Sequence, residues 1–291
     1  MKTPSFLMPC TLNEMLFPVE LRDNPRNTNQ EYSKVVVGHI DTGEIDLNYC
    51  SPRYQLVPNS EIFPKIEEIF KQNNVNFTVK YSMLKHAMFY AYYIIEDPAY
   101  AFIMPNTKDD IKFSFVFQHS YNGLWKYKGM AGFYRLVCKN GLTVPVKQMK
   151  DYNLQISGKH TPSILESLIQ FDNLLKMIAK NGKEIVTSVK NVYSQLSDRM
   201  VYKVEDRIKE VLGAVGITAI DNKKFNTVTN IIDKIRVESD NPTLGYAGKI
   251  SDWLIYNGIN QYINDDELNI ASPEKRKDKD IAVLEYLIAN A

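Results

Sequence analysis

The spacing of apolar residues changes near residue 160 of this 291-residue chain, and that change limits the folds open to it. Before residue 160, apolar and polar side chains alternate in segments such as Val75 to Ser82 and Ile111 to Gln118, which is the two-residue period of a half-buried β-strand. After it, apolar residues recur every three or four positions, the period of an amphipathic helix. We therefore predict an α+β protein, with a largely antiparallel sheet in the first half followed by a helical second half.

Turn residues and β-branched runs divide the first half into strands. Residues 1–32 have no sustained period and are expected to form an irregular N-terminal arm. Besides the two alternating segments, strands are predicted at Lys34 to Ile40, Tyr54 to Val57 and Met88 to Ile95. A helix that is capped by Ser60 and continues to about Gln72 is expected within this region.

Two asparagine-glycine pairs predict tight turns in the rest of the sheet. Asn122-Gly123 predicts a hairpin between Phe113 to Tyr121 and Leu124 to Tyr127, and Asn140-Gly141 predicts a second turn. Short connections of this kind join antiparallel neighbours. Residues 33–160 are therefore predicted to form a β-rich antiparallel region with one helix.

Residues 161–291 are predicted to be helical and to pack on the sheet, within one continuous domain. Thr161-Pro162-Ser163 marks the start of a first helix, and Asn181-Gly182 marks its end. An apolar stripe from Ile185 to Val211 predicts a second helix, and we expect the two helices to pack as an antiparallel pair. Further helices are predicted at Lys223 to Arg236, Lys249 to Tyr262 and Glu274 to Ile288.

Cysteine usage and hydropathy indicate a protein of the cytoplasm. The cysteines at positions 10, 50 and 138 are odd in number and form no C-x-x-C pair, which argues against a disulfide framework or a zinc site. Prolines and polar residues interrupt the first 18 residues, so these lack the apolar core of a signal peptide. No apolar run approaches the length of a membrane-spanning helix, so we expect no membrane partner.

The sequence lacks the common catalytic signatures. It has no G-x-G-x-x-G, no phosphate-binding G-x-x-x-x-G-K-[ST], no H-E-x-x-H and no G-x-S-x-G. The four histidines, at positions 39, 86, 119 and 160, are far apart, and none has a carboxylate at helical ligand spacing. We expect no cofactor and no metal, because any metal site would have to be assembled from distant positions.

An excess of basic over acidic residues is confined to one segment, from Lys126 to His160. The segment holds seven basic residues against the single acid Asp151, whereas the whole chain has a net charge of +1. Aromatic residues are interleaved with the cations, as in a groove where lysine and arginine bind phosphates while bases stack on rings. The alternative is a sheet edge on which lysines deter edge-to-edge pairing while the rings face the core. The residues predicted to bind nucleic acid are Trp125, Lys126, Tyr127, Lys128, Arg135, Lys139, Asn140, Lys147, Lys150 and Lys159.

Arg135 is a cation of this segment that falls on an otherwise apolar strand face. It is predicted to share a strand face with Phe133 and Val137. A guanidinium on an otherwise apolar face needs a partner, either a buried carboxylate or a bound anion. The sequence leaves both partners open.

Five short stretches are distinctive for their polar residues. They are S-P-R-Y-Q-L-V-P-N (51–59), Q-H-S-Y-N-G (118–123), F-Y-R-L-V-C-K-N-G-L (133–142), K-H-T (159–161) and D-W-L-I-Y-N-G-I-N-Q-Y (252–262). Their order resembles the phage and plasmid family described as domain of unknown function 932, over most of residues 50–290. The resemblance implies an origin in a phage, prophage or conjugative element, but no particular reaction.

The polar motif positions of that family fall here on Tyr54, Gln55, His119, Arg135, Asn140, His160, Trp253 and Asn257. The chain departs from the pattern at 121–123, where Tyr-Asn-Gly stands in place of an expected acidic residue before the glycine. If that acid serves chemistry in the family, this chain lacks it.

Three functional hypotheses follow. The first, which we favour, is a non-catalytic DNA-metabolism protein of a mobile element that binds single-stranded nucleic acid. It resembles strand-annealing proteins, which form homo-oligomeric rings or filaments. The second is an enzyme acting on nucleic acid or a nucleotide, with His119 and His160 as candidate acid and base groups and Arg135 holding a phosphate. The third is a protein that binds a host or phage protein through its aromatic residues.

Overall fold

The computed structural model describes residues 7–26, 30–105, 109–135, 140–142, 144, 150–216, 222–238, 249–264 and 273–290. It confirms the predicted fold class, because antiparallel sheets occupy the first half of the chain and helices the second. Among these residues, no helix combines the length and the apolar character needed to cross a membrane.

The described strands form three sheets. The strands are β1 (Met8–Cys10), β2 (Val19–Asp23), β3 (Lys34–Ile40), β4 (Gly43–Cys50), β5 (Phe77–Leu84), β6 (Met88–Ile95), β7 (Ala101–Ile103), β8 (Asp110–Ser120), β9 (Tyr127–Arg135), β10 (Asn140–Leu142), β11 (Gln155–Gly158), β12 (Met200–Val201) and β13 (Ile250–Ser251). The largest sheet has the order β1-β5-β6-β8-β9-β10, with β7 also paired to β8 and β11 to β9. β2, β3 and β4 form a second sheet, and β12 pairs with β13.

The helices follow mainly after the large sheet. They are α1 (Leu12–Met15), α2 (Asn59–Gln72), α3 (Ile164–Asp198), α4 (Val204–Ala214), α5 (Asn222–Glu238), α6 (Asp252–Ile263) and α7 (Pro273–Ala289), with 3-10 turns at Gln30–Tyr32 and Pro98–Tyr100. The structure confirms β3 and β6 at their predicted bounds, and α5, α6 and α7 with slightly shifted bounds.

Aromatic side chains join one face of the large sheet to α2 and α3. Phe63 of α2 lies 5.4 Å from Phe117 of β8, ring centre to ring centre. Phe171 of α3 lies 5.2 Å from Phe117 and 5.3 Å from Tyr127 of β9. All four rings are buried. This packing places the ends of β8 and β9 next to the start of α3.

The sequence predicted an irregular arm for residues 1–32, but the described part of this region forms paired strands. β1 pairs with β5 at the edge of the large sheet, and β2 pairs with β3. Between them, the Glu14 N–H donates to Thr11 Oγ1 (3.3 Å) and the Thr11 N–H donates to Glu14 Oε2 (2.6 Å), a capping box that starts α1. Pairing partners define these short strands, and no local period reveals them.

Two predictions near α2 are wrong. Tyr54 to Val57 forms no strand, and the strand in this region is β4, which was not predicted. α2 begins at Asn59 with Pro58 as its N-cap, before the expected cap Ser60. The Asn59 backbone N–H donates to the Tyr121 hydroxyl (2.8 Å), so a distant side chain satisfies a donor at the helix start that a local cap would otherwise bind.

The predicted helix end at Asn181-Gly182 is wrong, because α3 is continuous for 35 residues. The expected antiparallel pair of helices is therefore not formed by these described residues. The predicted second stripe, Ile185 to Val211, is divided between the second half of α3 and α4, with β12 between them. A Cβ at position 182 would overlap the Tyr100 ring, whose hydroxyl donates to the Ala179 carbonyl (2.7 Å). Gly182 thus allows a close approach of ring and helix and does not end the helix.

The two asparagine-glycine pairs differ in outcome. Asn122-Gly123 lies in a hairpin connection as predicted, but that connection spans residues 121–126, and β9 starts only at Tyr127. Asn140 and Gly141 form no turn. They lie in β10, opposite Arg135 and Tyr134 of β9.

Candidate functional site

A concave site opens where three segments that are distant in the sequence meet. Its walls come from the loop after β4, the β8–β9 connection and the residues before α3, and its volume is about 380 Å³. The lining residues are Cys50, Ser51, Arg53, Tyr54, Gly123, Leu124, Trp125, Lys126, Lys159, His160 and Thr161. We name this site the basic pocket, and its volume is within the range of small-ligand sites.

Three cations and no carboxylate line the basic pocket. Arg53, Lys126 and Lys159 are exposed. Within the described residues, their side chains form no ion pair and no hydrogen bond. Cations that are not neutralised around a concave surface produce a positive potential that attracts anions. The basic pocket is therefore suited to an anionic ligand.

Trp125 forms one wall of the basic pocket, and the β8–β9 connection holds it in place. Ser120 Oγ accepts a hydrogen bond from the Trp125 N–H (2.8 Å) and donates one to the Trp125 carbonyl (3.2 Å). Asn122 Oδ1 accepts from the Leu124 N–H (3.1 Å), and Gly123 has a φ of 73°. The indole is partly exposed, so a ligand in the pocket can contact it.

His160 connects the basic pocket to the protein interior. Its ring stacks on Tyr54, with ring centres 5.2 Å apart and planes inclined by 12°. The Gln55 N–H donates to the His160 carbonyl (3.0 Å), and His160 Nδ1 lies 3.2 Å from the Gln55 carbonyl oxygen. A carbonyl only accepts hydrogen bonds, so Nδ1 carries the imidazole proton and donates it to Gln55.

His119 is fully buried, and its ring centre is 5.7 Å from that of His160. His119 Nε2 lies 2.5 Å from Asn59 Oδ1, while Asn59 Nδ2 donates to the Met15 carbonyl (2.7 Å). The Met15 carbonyl fixes the orientation of the amide, which makes Oδ1 the acceptor and His119 Nε2 the donor. The structure therefore brings together the two histidines that the sequence proposed as a pair.

Burial lowers the pKa values of both histidines. Desolvation is the main reason that the pKa of His119 lies well below its usual value, and the neighbouring His160 adds to the shift. Desolvation also lowers the pKa of His160, partly opposed by its hydrogen bond to the Gln55 backbone. Both imidazoles are therefore neutral near pH 7.

Three buried polar atoms in this cluster have no hydrogen-bond partner among the residues that the structure describes. They are His119 Nδ1, His160 Nε2 and Tyr127 Oη. The Tyr127 ring lies 6.4 Å from that of His119. Buried polar atoms in native proteins are nearly always paired with protein groups or ordered water. Of these three atoms, His160 Nε2 belongs to a residue that lines the basic pocket, so it is the one that a bound molecule could contact.

Arg135 lies in a different cluster. Its Nη2 contacts both carboxylate oxygens of Asp109, at 2.7 Å and 2.6 Å, and both residues are buried. Trp253 Nε1 donates to Asp109 Oδ2 (3.1 Å), and Asn257 Nδ2 donates to the Trp253 carbonyl (2.7 Å). Of the two partners that the sequence left open for Arg135, the structure has the buried carboxylate.

A family match covers both clusters. The family described as Domain of unknown function (DUF932) matches residues 46–277 of this chain. The chain belongs to this family. The comparisons with curated proteins and with solved structures found no match to this chain.

The five stretches that resemble DUF932 separate into two groups in space. Residues 51–59, 118–123 and 159–161 surround the basic pocket and the histidine pair. Residues from 133–142 and 252–262 meet at Asp109. The enzyme hypothesis needs Arg135 to hold a phosphate beside His119 and His160. In this DUF932 chain the two histidines converge, but Arg135 is bound to Asp109 in the other cluster, so this part of the hypothesis is corrected.

The residues of the DUF932 chain that were predicted to bind nucleic acid lie in different surroundings. Trp125, Lys126 and Lys159 line the basic pocket. Tyr127 and Arg135 are buried, so a strand on the surface cannot contact them.

Of the remaining residues predicted to bind nucleic acid, those that the structure describes do not line the basic pocket. Lys128 is half-buried in β9 opposite Ser157 of β11, and Lys150 is exposed. Asn140 lies in β10, whereas Lys139 and Lys147 lie outside the described residues.

The alternative interpretation of the basic segment holds for most of its rings. Tyr127 and Phe133 point into the core that α2 and α3 cover, and Tyr134 is buried on the opposite face of the sheet beside Tyr92. These three rings offer no stacking surface. The partly exposed indole of Trp125, directly before the segment, does offer such a surface.

Sequence reasoning missed Arg53, Asn59 and Asp109. Arg53 and Asn59 stand inside the stretch 51–59 but were not singled out. The signal for Arg53 is a cation directly before the motif position Tyr54. Asp109 gives no local signal, because its partners Arg135 and Trp253 are far along the chain.

Proposed function

We propose that this chain is a DNA-metabolism protein of a phage, prophage or plasmid that binds single-stranded nucleic acid at the basic pocket. One observation carries the proposal. Arg53, Lys126 and Lys159 surround a concave site without a carboxylate partner in the described residues, and the partly exposed Trp125 ring forms its wall.

The chemistry of the basic pocket matches the two parts of a nucleotide. Lysine and arginine side chains bind phosphate oxygens, and an indole offers a face on which any base can stack. A pocket of about 380 Å³ accommodates one nucleotide-sized group. Bases inside a duplex are already stacked and paired, so they do not enter such a pocket without unstacking. Single strands are therefore the favoured ligand.

The small number of cations limits the size of the electrostatic footprint. With three cations, about three phosphates are contacted, and the logarithm of the affinity for a single strand should fall against the logarithm of salt concentration with a slope of about −2. A protein with a long basic groove would show a steeper slope. The slope therefore tests the pocket as the binding surface.

Fluorescence anisotropy with labelled single- and double-stranded oligonucleotides over a salt series tests the proposal. We expect Lys126→Gln/Lys159→Gln to weaken single-strand binding at least about tenfold, because two charge-assisted contacts are lost. The matched control is Lys183→Gln/Lys190→Gln, which removes the same charge from exposed positions of α3. The proposal fails if the wild-type chain does not bind at low salt, or if both double variants lose affinity equally.

A second candidate is an enzyme acting on nucleic acid or a nucleotide, and the closeness of His119 to His160 favours it. His160 lines the basic pocket, so it is the member of the pair that a bound nucleotide could contact. Incubation with end-labelled oligonucleotides and nucleotides, followed by separation of products, tests this role. Products formed by the wild type but not by His160→Gln would support catalysis, and an unchanged substrate would leave binding as the function.

A further inference from the structure

His160 has one ring nitrogen left for a ligand of the basic pocket. One face of its ring lies against Tyr54, and its Nδ1 donates to the Gln55 carbonyl. Nε2 is therefore the deprotonated nitrogen, a lone-pair acceptor with no N–H to donate. It has no hydrogen-bond partner in the part of the chain that the structure describes, and the residue is only 7% exposed.

Burial and hydrogen bonding keep His160 in this acceptor state near neutral pH. Desolvation lowers the pKa of the imidazole, which disfavours the imidazolium that would donate from Nε2. The other neutral tautomer is disfavoured as well, because it would place a lone pair against the Gln55 carbonyl oxygen. His160 therefore offers a fixed acceptor in the lining of the basic pocket.

This acceptor and the cations of the basic pocket suit different parts of a ligand. Arg53, Lys126 and Lys159 are exposed, and their side chains only donate hydrogen bonds, so they bind acceptors such as phosphate oxygens. A phosphodiester group has no N–H or O–H, and its charged oxygens would meet the lone pair of Nε2 as a second acceptor. The part of the ligand that reaches His160 is therefore a hydrogen-bond donor and not the phosphate.

We propose that His160 makes the basic pocket specific for a nucleotide that presents a hydrogen-bond donor to Nε2. This specificity rests on the proposed binding of single-stranded nucleic acid and adds what the pocket recognises there. Two parts of a nucleotide carry such a donor. One is the exocyclic amino group of adenine, cytosine or guanine, and the other is the 2′-hydroxyl of ribose. In both cases the acceptor selects among nucleotides whose phosphates the cations bind equally.

The other unpaired atoms of the cluster do not line the basic pocket. His119 is fully buried behind His160, with the two ring centres 5.7 Å apart. Tyr127 lines a separate cavity of about 170 Å³ together with Asp172. Burial raises the pKa of the Tyr127 phenol, and the charge of Asp172 adds to the shift. Recognition of a ligand in the basic pocket therefore falls to His160 within this cluster.

The burial of Nε2 determines how strong the selection is. Most hydrogen bonds add little net free energy, because each replaces a bond to water. His160 Nε2 is buried, so a donor that seats closely against the ring replaces no such bond on the protein side. We therefore expect the donor to raise the affinity of a nucleotide at least about tenfold over an analogue without it.

Fluorescence anisotropy of the full chain with strands that differ in one donor tests this role. The base arm compares oligomers of deoxyadenosine and deoxycytidine with analogues that lack the exocyclic amino group, purine and 2-pyrimidinone. The sugar arm compares oligoriboadenylate with its 2′-O-methyl counterpart, which removes the hydroxyl donor. We expect removal of the donor to weaken binding at least about tenfold in one arm, which identifies the group that His160 recognises.

His160→Phe keeps a ring beside Tyr54 and removes the acceptor. In this variant, strands with and without the donor should bind equally, so the ratio of their affinities falls to about one. The matched control is His39→Gln, which removes a partly exposed histidine that contacts Glu20 and Glu44 and should keep the wild-type ratio. A purely structural role of His160 would weaken both strands alike and leave the ratio unchanged.

The failure of this specificity can be distinguished from the failure of strand binding. If the wild type binds strands with and without the donor equally in both arms, the role of His160 is overturned while strand binding stands. A ratio that persists in folded His160→Phe overturns it too, because the donor is then recognised elsewhere. If the wild type binds no strand at low salt, the proposed function fails and this specificity with it. The comparison of strands on the wild type requires no variant, so it decides even if His160→Phe does not fold.

Discussion

The ring of Tyr54 stacks on that of His160 at a distance of 5.2 Å and covers one face of the imidazole. The Tyr54 hydroxyl donates to the Tyr121 carbonyl (3.1 Å), which ties the stacked pair to the β8–β9 connection. Such surroundings accept a neutral imidazole, whereas an imidazolium would lose its hydration. The histidine pair therefore links the pH of the solution to the stability of the fold.

We expect the free energy of unfolding to fall as the pH is lowered from about 6.5, the usual histidine pKa, towards 5. The pKa values of His119 and His160 are lowered in the folded state, so the unfolded chain binds protons first. Above this range both states are neutral and the histidines leave stability unchanged. Within it, each histidine removes up to about 1.4 kcal/mol per pH unit. Urea unfolding at about pH 7.5 and pH 5.5 measures the loss.

His39→Gln is the matched control for this pH dependence, because it removes a partly exposed histidine that is not part of the buried pair. His160→Gln should reduce the loss of stability between the two pH values, and His39→Gln should leave most of it. The pKa of Glu20 is lowered by its hydrogen bonds to Arg22 and His39, so that carboxylate titrates below this pH range. Equal stability at both pH values would contradict the neutral, buried histidine pair.

The pairing of Arg135 with Asp109 predicts a large effect on stability. Asp109→Ala leaves a guanidinium buried without its carboxylate and should lower the free energy of unfolding by about 3 to 5 kcal/mol. It also removes the acceptor of the Trp253 N–H, which joins α6 to the sheet. Urea denaturation followed by tryptophan fluorescence measures the change.

The exposed pair of Glu20 and Arg22 provides the comparison. Glu20→Gln should leave the free energy of unfolding almost unchanged, as is usual for ion pairs exposed to solvent. If Asp109→Ala were as mild as Glu20→Gln, the buried pair would not hold α6 to the sheet. If the folded Asp109→Ala chain lost oligonucleotide binding, the separation of Arg135 from the basic pocket would be wrong.

Two helical glycines should respond in opposite directions to alanine. Gly182→Ala places a methyl group against the Tyr100 ring and should destabilise the fold by about 1 to 3 kcal/mol. Gly213 lies in α4, where an added Cβ meets nothing within 4 Å. Gly213→Ala should therefore stabilise the fold by up to about 1 kcal/mol through higher helix propensity. Thermal unfolding of both variants measures the difference, and two changes of the same sign would be inconsistent with the packing of Tyr100 on α3.

Local periodicity could predict the elements that are long and regular, because the spacing of apolar residues along them shows which face is buried. β3, β6, β8 and the three C-terminal helices were predicted for this reason. Gly182 was misinterpreted as a helix end. A glycine is needed there because the Tyr100 ring, on another element, packs against the helix at this position. β1 and β2 were missed because three to five residues do not establish a period, and their partners supply the stability.

The candidate site could be predicted in its residues but not in its arrangement. The stretches that contain Tyr54, His119 and His160 were recognised, yet only folding shows that their rings stack and approach one another. The sequence also could not show which face of β9 is exposed, because both faces of this strand are covered in the fold. Alternation therefore buries Tyr134 as well as Phe133, and no ring of the strand remains for a ligand.

The hydroxyl of Tyr121 is expected to stabilise the site through the start of α2. It accepts from the Asn59 N–H (2.8 Å), and both residues are fully buried. Tyr121→Phe keeps the ring but leaves this donor unpaired, which should cost about 1 to 3 kcal/mol of unfolding free energy. Tyr202→Phe is the control, because Tyr202 is 72% exposed and should tolerate the change. We expect Tyr121→Phe to speed hydrogen exchange at the first turn of α2. Exchange as slow as in the wild type would show that the hydroxyl does not support the helix start.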